Sequence, residues 1–219
     1  YKTQLALEQS KMAISIKEEL EEFKSLGSSY GVMANTYFNM GDFTQCLKFA
    51  KKSLGSFRQN EMVNFEGRVL IIIAEALSRL GRYDEMAEYL EKAEAIFGEF
   101  NDAFLLGKVQ SIKSQACFGT GEFDAAVEHL ENSIDQFEMA EQRNFIIESM
   151  LLLIKIHLDQ EDFKTAEKFL KKVENQLKKL KGGPPAYLTE SMACLLMVIK
   201  DSSNVEGLDD LWAKMEKDE

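Results

Sequence analysis

Apolar residues along this 219-residue chain fall at alternating steps of three and four, and the whole set of positions returns every 40 residues. The register is marked by a short phrase: Gly41-Asp42-Phe43, Gly81-Arg82-Tyr83, Gly121-Glu122-Phe123 and Glu161-Asp162-Phe163. Two residues into each phrase stand Phe43, Tyr83, Phe123 and Phe163, followed by the columns Cys46, Met86, Ala126, Ala166 and Ala50, Leu90, Leu130, Leu170. Further on come Ser53, Ala93, Ser133, Val173 and then Phe57, Phe97, Phe137, Leu177. That spacing lays one stripe along an α-helix, helix B. Before the phrase, Tyr37, Leu77, Cys117, His157 and Ala34, Ala74, Ser114, Ile154 mark a preceding helix A. A period so constant predicts a repeat array of helical hairpins.

The glycine between A and B suits a C-terminal cap in the left-handed region. Thr44, Asp84 and Asp124 are the expected N-caps of helix B, because their side-chain oxygens can accept from unpaired backbone N–H groups. Gly27, Gly67 and Gly107 recur near the start of helix A. Glycine inside a helix costs about 1 kcal/mol relative to alanine, so three in register point to close backbone approach or a helix start. The fourth copy has Ile147 there, which predicts a looser or differently filled contact.

The segments LGRYDEMAEYLEKAEAIF and GEFDAAVEHLENSIDQF carry a pattern that resembles the tetratricopeptide repeat: Gly, acidic, aromatic, then small, apolar, small. That family's common repeat is about 34 residues. The 40-residue step is similar to the longer variant of kinesin light chains and bacterial signal-responsive regulators. The resemblance implies an all-α, right-handed superhelical solenoid of antiparallel hairpins. Two departures stand out: Glu161 replaces the turn glycine, and the third helix A has Gln110 and Lys113 where the family usually has large apolar residues.

On this register residues 1–22 read as helix B of a truncated repeat, followed by repeats at 25–60, 61–100, 101–140 and 141–181. Gly182-Gly183-Pro184-Pro185 is a strong break, and 186–217 read as a C-terminal hairpin, either a partial repeat or a cap. Its second helix, from Asn204 to Lys217, would carry Val205, Leu208, Leu211, Trp212 and Met215 on one stripe. The opening on Tyr1 rather than Met suggests a piece of a longer protein.

Composition narrows the function classes. A formal net charge of −11 argues against a general nucleic-acid binder, which needs a surplus of Lys and Arg on one face. Seven lysines between Lys164 and Lys181 form a local exception, read as a solvated helix face paired with Glu167 and Glu174 or as a docking patch for an acidic partner. No apolar run approaches the roughly 18 residues of a membrane span, and no signal peptide is visible. Cys46, Cys117 and Cys194 form no CxxC and are expected as buried free thiols, consistent with a cytoplasmic protein. The two histidines, His129 and His157, offer no ligand set, so no metal and no cofactor are expected. Gly182 to Pro185 lack the GxxxxGK[ST] pattern and a preceding strand. The expectation is that the chain is not an enzyme.

In such an array helix A faces line a concave groove. One polar position per repeat, Asn35, Glu75, Gln115 and Lys155, forms a ladder, with Phe38 and Phe118 as anchors beside it. Asn39, Arg68, Ile71, Arg79, Lys108 and Glu148 extend the strip. Polar groups able to meet a backbone, set beside aromatic anchors, fit an extended segment or a partner helix. The alternative is that these positions simply face solvent. The expected function is a non-catalytic scaffold that binds a protein or peptide. Two rivals are a sensory or regulatory segment of a larger signalling enzyme or transcription regulator, and a self-association module pairing through an exposed array end into a homo-oligomer.

Overall fold

A computed structural model describes residues 2–19 and 23–179. The C-terminal hairpin at 186–217, Cys194 and the 182–185 break lie outside the described residues. Among those described there are nine helices and no strand: α1 (Lys2–Glu19), α2 (Phe23–Asn39), α3 (Phe43–Gln59), α4 (Val63–Arg79), α5 (Tyr83–Phe100), α6 (Ala103–Thr120), α7 (Phe123–Met139), α8 (Arg143–Asp159) and α9 (Phe163–Leu177). The chain is an all-α helical repeat solenoid in which each helix packs against its sequence neighbours.

Every connection from α2 through α9 is the same device. The residues with positive φ are Gly41, Glu61, Gly81, Asn101, Gly121, Glu141 and Glu161, one every 20 residues. At each, the following N–H donates back to the carbonyl five residues earlier, as from Asp42 to Tyr37 at 3.0 Å, Met62 to Phe57 at 3.0 Å and Asp162 to His157 at 2.7 Å. This is the Schellman arrangement, which closes one helix while the same residue begins the next. Thr44, Asp84 and Asp124 are therefore not the N-caps. The turn is so short that the cap position falls on Asp42, Arg82, Glu122 and Asp162, of which Asp42 accepts from the Gln45 N–H at 3.0 Å and Asp162 from the Thr165 N–H at 3.1 Å. Asp102 does the same for α6, accepting from Leu105 at 3.1 Å.

Within the first three hairpins, a glycine of helix A lies against an aromatic ring of helix B. A Cβ on Gly27 would fall 2.8 Å from Phe57, on Gly67 2.7 Å from Phe97, and on Gly107 2.7 Å from Phe137. The glycines are thus sites of close approach. Ser53 and Ser133 tighten the same contact, donating to the carbonyls of Gly27 and Gly107 at 2.7 and 3.0 Å. In the fourth hairpin the register sets Ile147 opposite Leu177, both buried in one apolar cluster. The side-chain bulk has moved from one helix to the other.

Between hairpins, four columns make the seams: Ile14, Leu54, Glu94, Ile134; Tyr30, Leu70, Gln110, Met150; Met33, Ile73, Lys113, Leu153; and Phe49, Tyr89, His129, Phe169. Every rung is apolar or aromatic except the third, and Ile14, Leu54, Leu70, Ile73, Ile134, Met150 and Leu153 are all buried. At the third rung Gln110 Nε2 donates to Glu94 Oε1 at 2.6 Å, Lys113 Nζ reaches Glu94 Oε2 at 2.6 Å, and His129 Nδ1 lies 2.8 Å from Gln110 Oε1. Burying a Leu-sized side chain contributes about 1.5–3 kcal/mol. A hydrogen bond nets about 0.5–1.5 kcal/mol and a surface ion pair about 1 kcal/mol at most. This seam is held less strongly than its neighbours.

Candidate functional site

The A helices bring their exposed stripes together in an inner cleft of about 170 Å³. It is lined by Phe38 of α2, Glu75 and Arg79 of α4, Lys108, Ser111, Ile112 and Gln115 of α6, Phe137 of α7, and Phe145 and Glu148 of α8. The spacing 108, 111, 112, 115 keeps the α6 contribution on one stripe. Lys108 Nζ stands 4.0 Å from Glu75 Oε1 and 5.8 Å from the Phe145 ring centroid, so one cation ties α4, α6 and α8. Both side chains of that ion pair are about one-third exposed, which leaves the pair open to competition by a ligand. Opposite charges alternate across an apolar floor of Ile112 and Phe137, and both of those residues are buried.

Six residues singled out in the sequence thus meet here: Phe38, Glu75, Arg79, Lys108, Gln115 and Glu148. Others lie elsewhere. Asn35 and Asn39 are exposed on α2, and Arg68 is exposed on α4 with its Nε donating to Asn64 at 3.0 Å. Phe118 packs on Phe123 with ring centroids 5.8 Å apart and carries Lys155 Nζ 5.0 Å above its face, forming a separate pair. Ile71 is only 4% exposed and belongs to the core, so it offers nothing to a ligand. Its stripe position is too close to the packing face. Ser111, Ile112, Phe137 and Phe145 were missed. Ser111 shares the column of Ile71, and Phe145 sits 16 residues before its turn phrase, where helix A begins.

No other constellation among the described residues suggests chemistry. Among the described residues no group of three or more His, Cys, Asp or Glu could hold a metal ion, and no described helix is long and apolar enough to cross a membrane. Cys46 is a buried free thiol, pushed up to about 12 by burial and then by Glu75 and Asp42. Cys117 is a half-buried free thiol, raised by burial and then by Glu122. A thiol held protonated is a poor nucleophile. His157 stacks on Phe169 at 5.8 Å, with Nδ1 3.7 Å from Asp162. On α9, Lys171 pairs with Glu167 at 2.8 Å on a solvated face.

The tetratricopeptide repeat profile matches residues 27–60 and 67–97. No curated protein matches the sequence. Among solved structures, aspartyl phosphate phosphatase F from Bacillus subtilis aligns at a TM-score of 0.84 and 14% identity, over 99% of this chain and 58% of that one. A Rap protein complexed with competence and sporulation factor aligns at 0.79 and 13% identity, over 98% and 59% respectively. A kinesin light chain from Podosopora anserina with nearly identical TPR-like repeats aligns at 0.63 and 17%, over 89% and 98%. The chain therefore spans somewhat under two thirds of the Rap-type structures, and at these identities the likeness is one of fold. Residues 27–60 and 67–97 are thus tetratricopeptide repeats, and the described helices carry the same architecture on to residue 177.

Proposed function

We propose that this chain is a non-catalytic interaction module that takes a segment of a protein or peptide partner in the inner cleft between α4, α6 and α8. The observation that carries the reading is the cleft itself. Hydrogen-bonding groups of both charges ring an apolar floor, with Phe38 at one end and Phe145 at the other. Such a surface can meet a peptide backbone and anchor an apolar side chain. The architecture supports the same reading, since solenoids expose extended concave surfaces for partners.

The test is selection of peptides from a random phage-displayed library on the immobilised chain. Selected peptides should lose about tenfold or more in affinity to a Phe38→Ala/Lys108→Glu variant of unchanged helicity. Binding unaffected by that variant would place the interaction elsewhere. A second reading, that the module is a regulatory segment, is supported by its likeness of fold to a Rap protein complexed with competence and sporulation factor.

A further inference from the structure

Three positions of the third hairpin and one of α5 before it depart from their columns, and all four departures meet at one seam. Glu94 of α5, Gln110 and Lys113 of α6 and His129 of α7 occupy columns that hold Leu54, Leu70, Ile73 and Tyr89 one repeat earlier. Isolated polar substitutions in a seam would leave unpaired groups and be costly. Here each answers another: both oxygens of Glu94 accept, from Gln110 and Lys113, and the Gln110 carbonyl meets His129. One repeat later the matching Ile134, Met150 and Phe169 line a groove between α7, α8 and α9, which sets this position on the outer face, away from the cleft. A second observation falls at the same hairpin. Besides a small cluster across α1 and α2, the buried apolar residues form one block from α2 to α6 and another from α7 to α9, with Phe104 packed against both, so α6 lies between the polar seam on its α5 side and a block boundary on its α7 side.

We propose that this polar seam is the joint at which the array flexes, and that movement there sets the separation of α4 from α6 across the inner cleft. Apolar seams resist opening because any gap exposes buried surface, whereas half-exposed hydrogen bonds can be exchanged for bonds to water. Helix α6 carries both sides of the coupling. Gln110 and Lys113 face the network, while Lys108, Ser111 and Gln115 face the cleft. A shift of α6 against α5 therefore moves Lys108 relative to Glu75. The connection to ligand binding rests on the function proposed above, but the joint itself is testable with no ligand present.

The experiment is native-state hydrogen exchange on the whole chain, comparing wild type with Glu94→Leu/Gln110→Leu/Lys113→Ile/His129→Tyr, which installs the residues of the preceding repeat. In wild type the α6 amides should exchange about tenfold faster than those of α4, and the variant should close most of that gap. Equal protection of α6 and α4 in wild type, or an unchanged gap in the folded variant, would overturn the proposal. Should the fourfold variant fail to fold, Glu94→Gln supplies the test, since it keeps the shape and weakens the network. It should speed exchange in α6 and leave α3 and α4 unchanged; no selective effect would refute the joint. For the cleft, spin labels at Ser78→Cys and Gln115→Cys, with native cysteines replaced by serine, should give a broader distance distribution in wild type than with the apolar seam. Equal breadth would overturn the coupling.

Discussion

Replacing Gly67 by alanine tests the close approach within a hairpin, because two opposed effects have sizes that can be compared. In a helix, Gly→Ala stabilises by up to about 1 kcal/mol through propensity alone. At this site, however, the new Cβ would fall 2.7 Å from Phe97 Cζ and 3.0 Å from both Phe97 Cε1 and Ile96 Cγ2. Phe97 is fully buried, so its ring cannot swing into solvent. Overpacking of that kind costs about 1–3 kcal/mol. The balance is a net loss of about 1 kcal/mol. Gly55 provides the control, being helical with nothing within 4 Å of where the new methyl would sit, so Gly55→Ala should stabilise by about 0.5–1 kcal/mol. Urea unfolding followed by circular dichroism at 222 nm gives both values. The fourth hairpin suggests the compensating change, since it sets Ile147 against Leu177. Gly67→Ala combined with Phe97→Leu should therefore be less harmful than the sum of its parts by about 1 kcal/mol, a coupling expected only of groups in contact. If Gly67→Ala stabilises as much as Gly55→Ala, and no coupling appears, the close-contact reasoning is refuted.

Three further outcomes follow from the structure. Glu61, Glu141 and Glu161 hold positive φ; each change to glycine should raise thermal stability by about 0.5–1 kcal/mol, the left-handed penalty less the entropy of the unfolded glycine. Asp102→Ala should cost about 1 kcal/mol by removing the cap on α6, while Thr44→Ala should be near neutral in the same melts. His129 is held below the ordinary imidazole value by burial and then by Lys113, against the opposing pull of Glu128 and Glu94. Because the unfolded chain binds the proton more readily, stability should be greatest above about pH 6.5 and decline as pH falls through that value. His129→Tyr should flatten this decline in denaturant titrations between pH 5 and 8.

The hairpin architecture was legible because Phe43, Tyr83, Phe123 and Phe163 keep one register and glycine marks three of the turns between A and B. The finer period of 20 was hidden. The return turns use Glu61, Asn101 and Glu141, residues with no glycine signature; asparagine tolerates the left-handed region, whereas at the two glutamates that geometry is imposed by the back-donated hydrogen bond. The N-caps were displaced by two residues for the same reason, since the closing residue of one helix doubles as the opening residue of the next. For the cleft, spacing within α4 and α6 located Glu75, Arg79, Lys108 and Gln115. Ile71 was misassigned because ten residues before the phrase lies at the edge of the packing stripe, half-buried at Ser111 and buried at Ile71. Gln110 and Lys113 were recognisable as departures, yet their partners Glu94 and His129 lie 16 to 19 residues away on neighbouring helices. Within-helix spacing carries no signal of such a pairing.

The most direct measurement of the central claim is hydrogen exchange of the chain with and without a peptide selected on it. Protection gained along α4, α6 and α8, with the B helices unchanged, is the predicted result. Protection gained along α5, α7 and α9 instead would show that the partner sits on the outer face, and would contradict the assignment of the inner cleft as the binding surface.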